Sequence, residues 1–263
     1  MSHKYKQRAP NPIYTGLEGR WMMEMASHYA SRRWLRKLPK GDGHTVIVFP
    51  GFMTSEVSTR QMRSLLTDLG YDTRDWGMGR NVRFNTEVEE DMRAMVAKTA
   101  KEVSAKVSLV GWSLGGVFAR EIARAMPENV RSVITLGSPI TGARHAALAR
   151  PIFEYLNGRP DPELEARIDE MHVAPPVPTT VVYSKTDGIV HWHGALQEEG
   201  DQAENIRVPA SHLGMGSNPL VMNILADRLS QPKDNWKKFD LRGLRKLIYR
   251  RPPALNRPLG DFY

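Results

Sequence analysis

The sequence contains no cysteine. That excludes disulfides, thiolate metal sites, iron–sulfur ligation and a cysteine nucleophile. Long apolar runs are also missing, and none approaches the roughly 20 residues a helix needs to cross a bilayer. The first ten residues are polar and basic, without the apolar stretch of a secretory signal, so a cytoplasmic protein is expected. No internal repeat or low-complexity tract breaks the pattern. What remains is 263 residues with 41% hydrophobic and 25% charged content, ordinary for a globular chain and long enough to bury a sizeable core.

The formal charge of +8 is unevenly spread. Residues 1–40 carry nine Lys and Arg against Glu18 and Glu24, and residues 233–263 carry nine against Asp234, Asp240 and Asp261. The two ends therefore hold +7 and +6, and the middle holds −5. This pattern divides the chain into a basic N-terminal helical extension (1–40), a central domain (41–232) and a basic C-terminal extension (233–263). In the first, Leu17, Trp21, Met25 and Tyr29 recur at i, i+4 spacing, which predicts an amphipathic helix over 16–38. In the last, Leu241, Leu244, Leu247 and Ile248 predict a helix over 239–249. Contact with an anionic membrane surface is one reading of such basic helices. Packing on the central domain is the other, and is preferred. No nucleic-acid motif accompanies the charge, so no nucleic-acid partner is expected. The sequence leaves the oligomeric state open.

The central region alternates. Apolar β-branched runs at 45–49, 107–110, 130–136 and 179–183 read as strands, with a further short one at 71–76. Helical patterns lie at 58–69, 86–106, 114–126 and 221–229, the first closed by Gly70. Such alternation predicts an α/β fold with a mostly parallel central sheet and helices on both faces. Residues 139–178 break the rhythm with a run of prolines and weak helical patterns at 143–155 and 163–171. They read as an insertion over one end of the sheet, either a helical cap over the site or a solvent-exposed excursion.

The most informative segment is Gly111-Trp112-Ser113-Leu114-Gly115, directly after a strand and before a helix. A serine on so sharp a turn is lifted clear of the sheet, and glycine two residues either side removes the collisions the turn would cause. Ser113 is the candidate nucleophile. It needs a base, and the base an orienting carboxylate. Catalytic groups on a sheet of this kind lie past the C-terminal ends of strands. Asp187, in Ser184-Lys185-Thr186-Asp187-Gly188, and His212, in Ser211-His212-Leu213-Gly214, both fit, with Asp201 in reserve. The other seven histidines fit less well. The His191/His193 pair lacks a third ligand at metal-site spacing, so no metal is expected. The backbone N–H of Leu114 and one from Pro50-Gly51-Phe52-Met53-Thr54, with Phe52 preferred over Met53, are the candidate oxyanion donors. Met53, Trp112, Phe153 and Trp192 are candidate pocket residues, with Ile152, Tyr155 and Leu156 beside Phe153.

Together these motifs, with Thr135-Leu136-Gly137-Ser138-Pro139 and Trp76-Gly77-Met78-Gly79-Arg80-Asn81, make residues 44–230 resemble the esterase/lipase-like branch of the α/β-hydrolase superfamily. The chain departs from many members in having Pro50 where they have histidine. The resemblance implies an α/β-hydrolase fold and a serine carboxylic-ester hydrolase. It carries Ser113, Asp187 and His212 over as the triad and Phe52 and Leu114 as the oxyanion hole. It implies no cofactor and a small-molecule or lipid-like ester as substrate. An acyltransferase or thioesterase would use the same triad. A cofactor-free perhydrolase or haloperoxidase shares the scaffold, and a catalytically silent binding module would need none of the three residues.

Overall fold

The computed structural model describes residues 9–141, 147–158, 166–167, 170–233 and 235–252. Six strands form one sheet: β1 (Thr45–Phe49), β2 (Asp72–Asp75), β3 (Val107–Trp112), β4 (Val130–Leu136), β5 (Thr179–Tyr183) and β6 (Ala203–Arg207). All pair in parallel, in the order β2-β1-β3-β4-β5-β6.

Strands β1, β3 and β5 are buried throughout and β4 over most of its length, which is why they read as largely apolar runs. β2, at the edge, is polar and partly exposed, and β6 buries the polar Glu204 and Asn205. Val46 and Val48 of β1, Val110 of β3, Ile134 of β4 and Val182 of β5 join one core. Ile47, Phe49, Leu109 and Val133, at the alternate positions, join the other. The first core is covered by α3 (Arg60–Asp68) and α7 (Pro219–Leu229), with Leu35 from α2 (Trp21–Leu35). The second is covered by α4 (Thr86–Glu102) and α5 (Leu114–Ala125). A short α1 (Pro12–Gly16) precedes α2, α6 (Arg150–Asn157) lies in the insertion, and α8 (Arg245–Ile248) is near the C-terminus.

The helices after β1 and β3, neighbours in the sheet, leave to opposite faces. The loops at their C-terminal ends therefore part and open a crevice, the place where ligands bind on open sheets of this type.

Several expected elements are shorter. The helix expected over 86–106 stops at Glu102, because Ser104 takes a left-handed conformation (φ 51°) and Ala105 N–H bonds back to Ala100 C=O, a helix-ending pattern. The helix expected over 239–249 shrinks to α8, since Gly243 has φ 61° and the Asp240 side chain accepts from Arg242 N–H. The expected apolar row of the N-terminal helix is a correction. Leu17 and Tyr29 are exposed, and the buried positions over 16–38 are Glu18, His28, Leu35 and Leu38. Of the expected cap helices, α6 is present from Arg150, while 143–146, including His145, and most of 163–171 lie outside the described residues.

The basic ends are bonded to acids of the chain. Arg32 and Arg36 meet Asp68 at 2.8 and 3.0 Å, and Arg245 meets Asp227 at 2.9 Å. Arg251 and Arg228 share the buried Glu204 at 2.8 Å each. Among the described residues, no helix is long and apolar enough to cross a membrane.

Candidate active site

Ser113 caps the N-terminus of α5 with φ 55° and ψ −123°, a region of backbone space that costs a non-glycine residue of order 1–3 kcal/mol. The surroundings hold it there. Its N–H donates to Leu136 C=O at 2.8 Å. A Cβ on Gly111 would collide with Gly115 C=O and the Gly116 Cα, and one on Gly115 with the Phe49 carbonyl. The glycine spacing in the sequence is thus the condition for the turn.

The sheet brings the three expected residues together. His212 Nε2 lies 3.0 Å from Ser113 Oγ, and His212 Nδ1 lies 2.7 Å from Asp187 Oδ2. The other carboxylate oxygen of Asp187 accepts from the N–H groups of Ile189 and Val190 at 2.9 and 2.7 Å. Asp187 and His212 are both buried. Burial pulls the His212 pKa down, but the charge of Asp187, its hydrogen bond and the charge of Glu18 outweigh this and leave it raised. The reserve acid, Asp201, is exposed in the turn before β6, away from the strand ends that carry Asp187 and His212.

Leu114 is the first residue of α5, so its N–H has no partner within the helix. The loop after β1 lies against Ser113: a Cβ on Gly51 would come within 3.3 Å of the Ser113 Cβ. Met53 N–H donates to Asn81 C=O at 2.7 Å. That removes Met53 as an oxyanion donor and leaves Phe52 from that pair. Asn81, fully buried, also donates from Nδ2 to Pro50 C=O at 2.9 Å and from its N–H to Thr54 C=O at 2.8 Å. The Trp76–Asn81 segment, singled out in the sequence without a role, therefore braces the loop that carries Phe52.

The candidate pocket residues separate. Phe153 of α6 packs edge-on against Phe52 with ring centroids 5.6 Å apart. Asn157 of α6 holds Val82 C=O and Phe84 N–H, and Leu148 N–H bonds Ile189 C=O. The insertion thus reaches from the loop of Asp187 to the side of Phe52. Met53 is exposed on the same loop. Ile152, Tyr155 and Leu156 are exposed, Tyr155 at 88%. Trp192 stacks on Tyr183 at 6.0 Å, under Lys185. Trp112 is buried in the core, and its indole N–H donates to His212 C=O at 3.1 Å. It supports the histidine loop from behind. Among the described residues, no group of three or more His, Asp or Glu is placed to hold a metal ion.

Sequence reasoning missed Glu18. It accepts from three backbone N–H groups in the loops of Asp187 and His212. An acid on a basic segment carries no local signal, and only the contact reveals it.

Comparison with known proteins now adds the family. A family model described as palmitoyl protein thioesterase matches residues 45–209, more than half of the chain. The chain belongs to the palmitoyl protein thioesterase family. The match runs from β1 past Asp187 and ends just before His212. As a member of this family the chain has the α/β-hydrolase fold, with esterases, lipases and thioesterases among its relatives and neighbours. A pimeloyl-[acyl-carrier protein] methyl ester esterase from Salmonella heidelberg is 31% identical over 113 residues, 42% of this chain and 43% of that protein. The chain thus spans less than half the length of the curated relatives it matches. Among solved structures, Aspergillus fumigatus lipase B is similar with a TM-score of 0.56 at 17% identity, covering 74% of this chain and 54% of that one. The Bacillus licheniformis lipase BlEst2 is similar at 0.53 and 16% identity, covering 74% and 95%. At these identities the likeness is one of fold.

Proposed function

We propose that this family member is a serine carboxylic-ester hydrolase acting through an acyl-enzyme on Ser113. The observation that carries the reading is the continuous chain from Asp187 through His212 to Ser113, at 2.7 and 3.0 Å. It ends on a serine held in a strained turn at a helix N-terminus.

In this mechanism His212 Nε2 takes the Ser113 proton as Oγ attacks the carbonyl carbon of the ester. Asp187 holds the Nδ1–H tautomer and stabilises the imidazolium. The N–H groups of Leu114 and Phe52 receive the negative charge of the tetrahedral intermediate, each worth about 3 kcal/mol. His212 returns the proton to the leaving alcohol, and the acyl group stays on Ser113. Water, deprotonated by His212, then releases the acid and restores the serine. Phe52, Phe153 and Met53 would border the acyl chain.

A thioester substrate is the second reading, favoured by the description of the family. The same steps would expel a thiol instead of an alcohol. The relative's name, which gives a methyl ester on a pimeloyl group borne by an acyl carrier protein, favours an oxygen ester.

The test is labelling by a fluorophosphonate probe of wild type and Ser113→Ala, followed by ester and thioester panels with matched acyl chains. Labelling of wild type alone is expected, with higher kcat/KM on the oxygen esters. An unlabelled wild type sinks the proposal, and a preference for thioesters would replace the first reading by the second.

A further inference from the structure

The N-terminal segment, which the sequence presents only as a basic extension, is bonded into both loops of the site. Glu18 lies in a turn of 3-10 helix just before α2 and is buried, with 5% of its surface exposed. One carboxylate oxygen, Oε1, accepts from Gly188 N–H at 2.8 Å and from His212 N–H at 2.9 Å. The other, Oε2, accepts from Leu213 N–H at 2.9 Å. Gly188 follows Asp187, so one carboxylate holds the residue after the acid and the base itself.

Neighbouring bonds repeat the pattern. Thr15 Oγ1 donates to Gly188 C=O at 2.7 Å. Arg20 donates to the Thr186 and Ala210 carbonyls at 2.5 and 3.0 Å. Glu24 accepts from Ser211 N–H at 2.8 Å. Two glycines show how close the approach is. A Cβ on Gly188 would lie 2.5 Å from Thr15 N, and one on Gly214 would collide with the Glu24 carboxylate. A surface residue has no such need to be glycine. The sequence of both loops is thus fitted to this segment.

We propose that Glu18 is a positioning residue of the active site, clamping the loop of Asp187 and the loop of His212 in mutual register and adding a second negative charge beside the imidazole. The proposal rests on the triad reading above. Clamping matters because the productive geometry tolerates little displacement: about 1 Å of misplacement can cost about 100-fold in rate. The charged groups around His212 are Asp187 on its Nδ1 side, Glu18 at its backbone, and Glu24, which lies 3.6 Å from Arg20 as counter-ion. Of these, Asp187 and Glu18 favour the protonated imidazole.

The experiment compares the full chain as wild type, Ser113→Ala, Glu18→Gln and Glu18→Asp. The readouts are probe labelling rate, kcat and KM on one chromogenic ester, the pH profile of kcat/KM, and Tm. Glu18→Gln loses the charge and sets an amide N–H against backbone donors. We expect kcat to fall about 100-fold with KM little changed, and the acid limb to move to lower pH. Glu18→Asp keeps the charge but is one methylene too short to reach both loops, so kcat falls while the limb stays. A folded Glu18→Gln with wild-type kcat, or with reduced kcat and an unmoved limb, overturns the proposal. If Glu18→Gln does not fold, wild-type kcat in Glu18→Asp overturns it instead. Failure of the triad reading is separate, because it shows as an unlabelled wild type, and the proposal falls with it.

Discussion

The indole N–H of Trp112 donates to the main-chain carbonyl of His212 at 3.1 Å. The residue before the proposed nucleophile Ser113 therefore supports the loop of the proposed base, and the strand that carries Ser113 also helps to set the height of the imidazole. Trp112→Phe keeps a ring in the core but leaves that buried carbonyl only the longer bond from Met215 N–H at 3.4 Å, at a cost of ~0.5–1.5 kcal/mol. We expect a lower midpoint in chemical denaturation and a fall in kcat of about tenfold, the equivalent of ~1.4 kcal/mol in barrier. Unchanged kcat would show that the loop is held without this bond.

The acid limb of kcat/KM should lie above the ordinary imidazole value of about 6.5, because the Asp187 and Glu18 charges raise the His212 pKa against the opposing pull of burial. As the proposed base, His212 would work only when neutral. Activity is therefore lost as pH falls through the raised pKa and retained above it. In Asp187→Asn the limb should move down, and kcat should drop about 10,000-fold as the tautomer is lost. A wild-type limb at or below the ordinary value contradicts this.

Asn81 braces the loop that carries Phe52, the proposed oxyanion donor. Asn81→Ala removes the donor to Pro50 C=O, leaving the Met53 and Thr54 backbone bonds to hold the loop alone. We expect a loss of ~1–3 kcal/mol in stability. If Phe52 N–H shifts with the loop, kcat falls by more than KM changes. Steady-state kinetics beside urea denaturation separates the two effects.

Phe153 meets Phe52 edge-on, a contact worth about 0.5–1.5 kcal/mol, at the side where the acyl chain would lie. Phe153→Ala should raise KM about 3- to 10-fold on medium-chain esters, equivalent to ~0.7–1.4 kcal/mol of lost contact with the acyl chain, and leave acetate esters nearly unchanged. A chain-length series on wild type and variant reads this directly. Equal changes across the series would remove Phe153 from the acyl pocket.

The sequence by itself determined the parallel α/β architecture and the identity of Ser113, Asp187 and His212 as partners. Burial on both faces makes the central strands β1, β3, β4 and β5 largely apolar runs, the turn at Ser113 needs glycine at 111 and 115, and strand ends are where such residues gather. These are local constraints, and they leave local marks. Only the tertiary structure decided the rest. Trp112, a candidate pocket residue in the sequence, has its side chain buried behind His212. Asn81 carried a motif without a role until the chain brought it 2.9 Å from Pro50 C=O. The N-terminal helix was read by its row of apolar side chains, but it docks through Glu18, Glu24, His28 and Leu35. The surface it meets includes backbone N–H groups of two loops that its docking buries, and a carboxylate satisfies these where an apolar side chain cannot. Periodicity detects burial against oil. It does not detect a glutamate whose partners are main-chain donors 170 and 194 residues away.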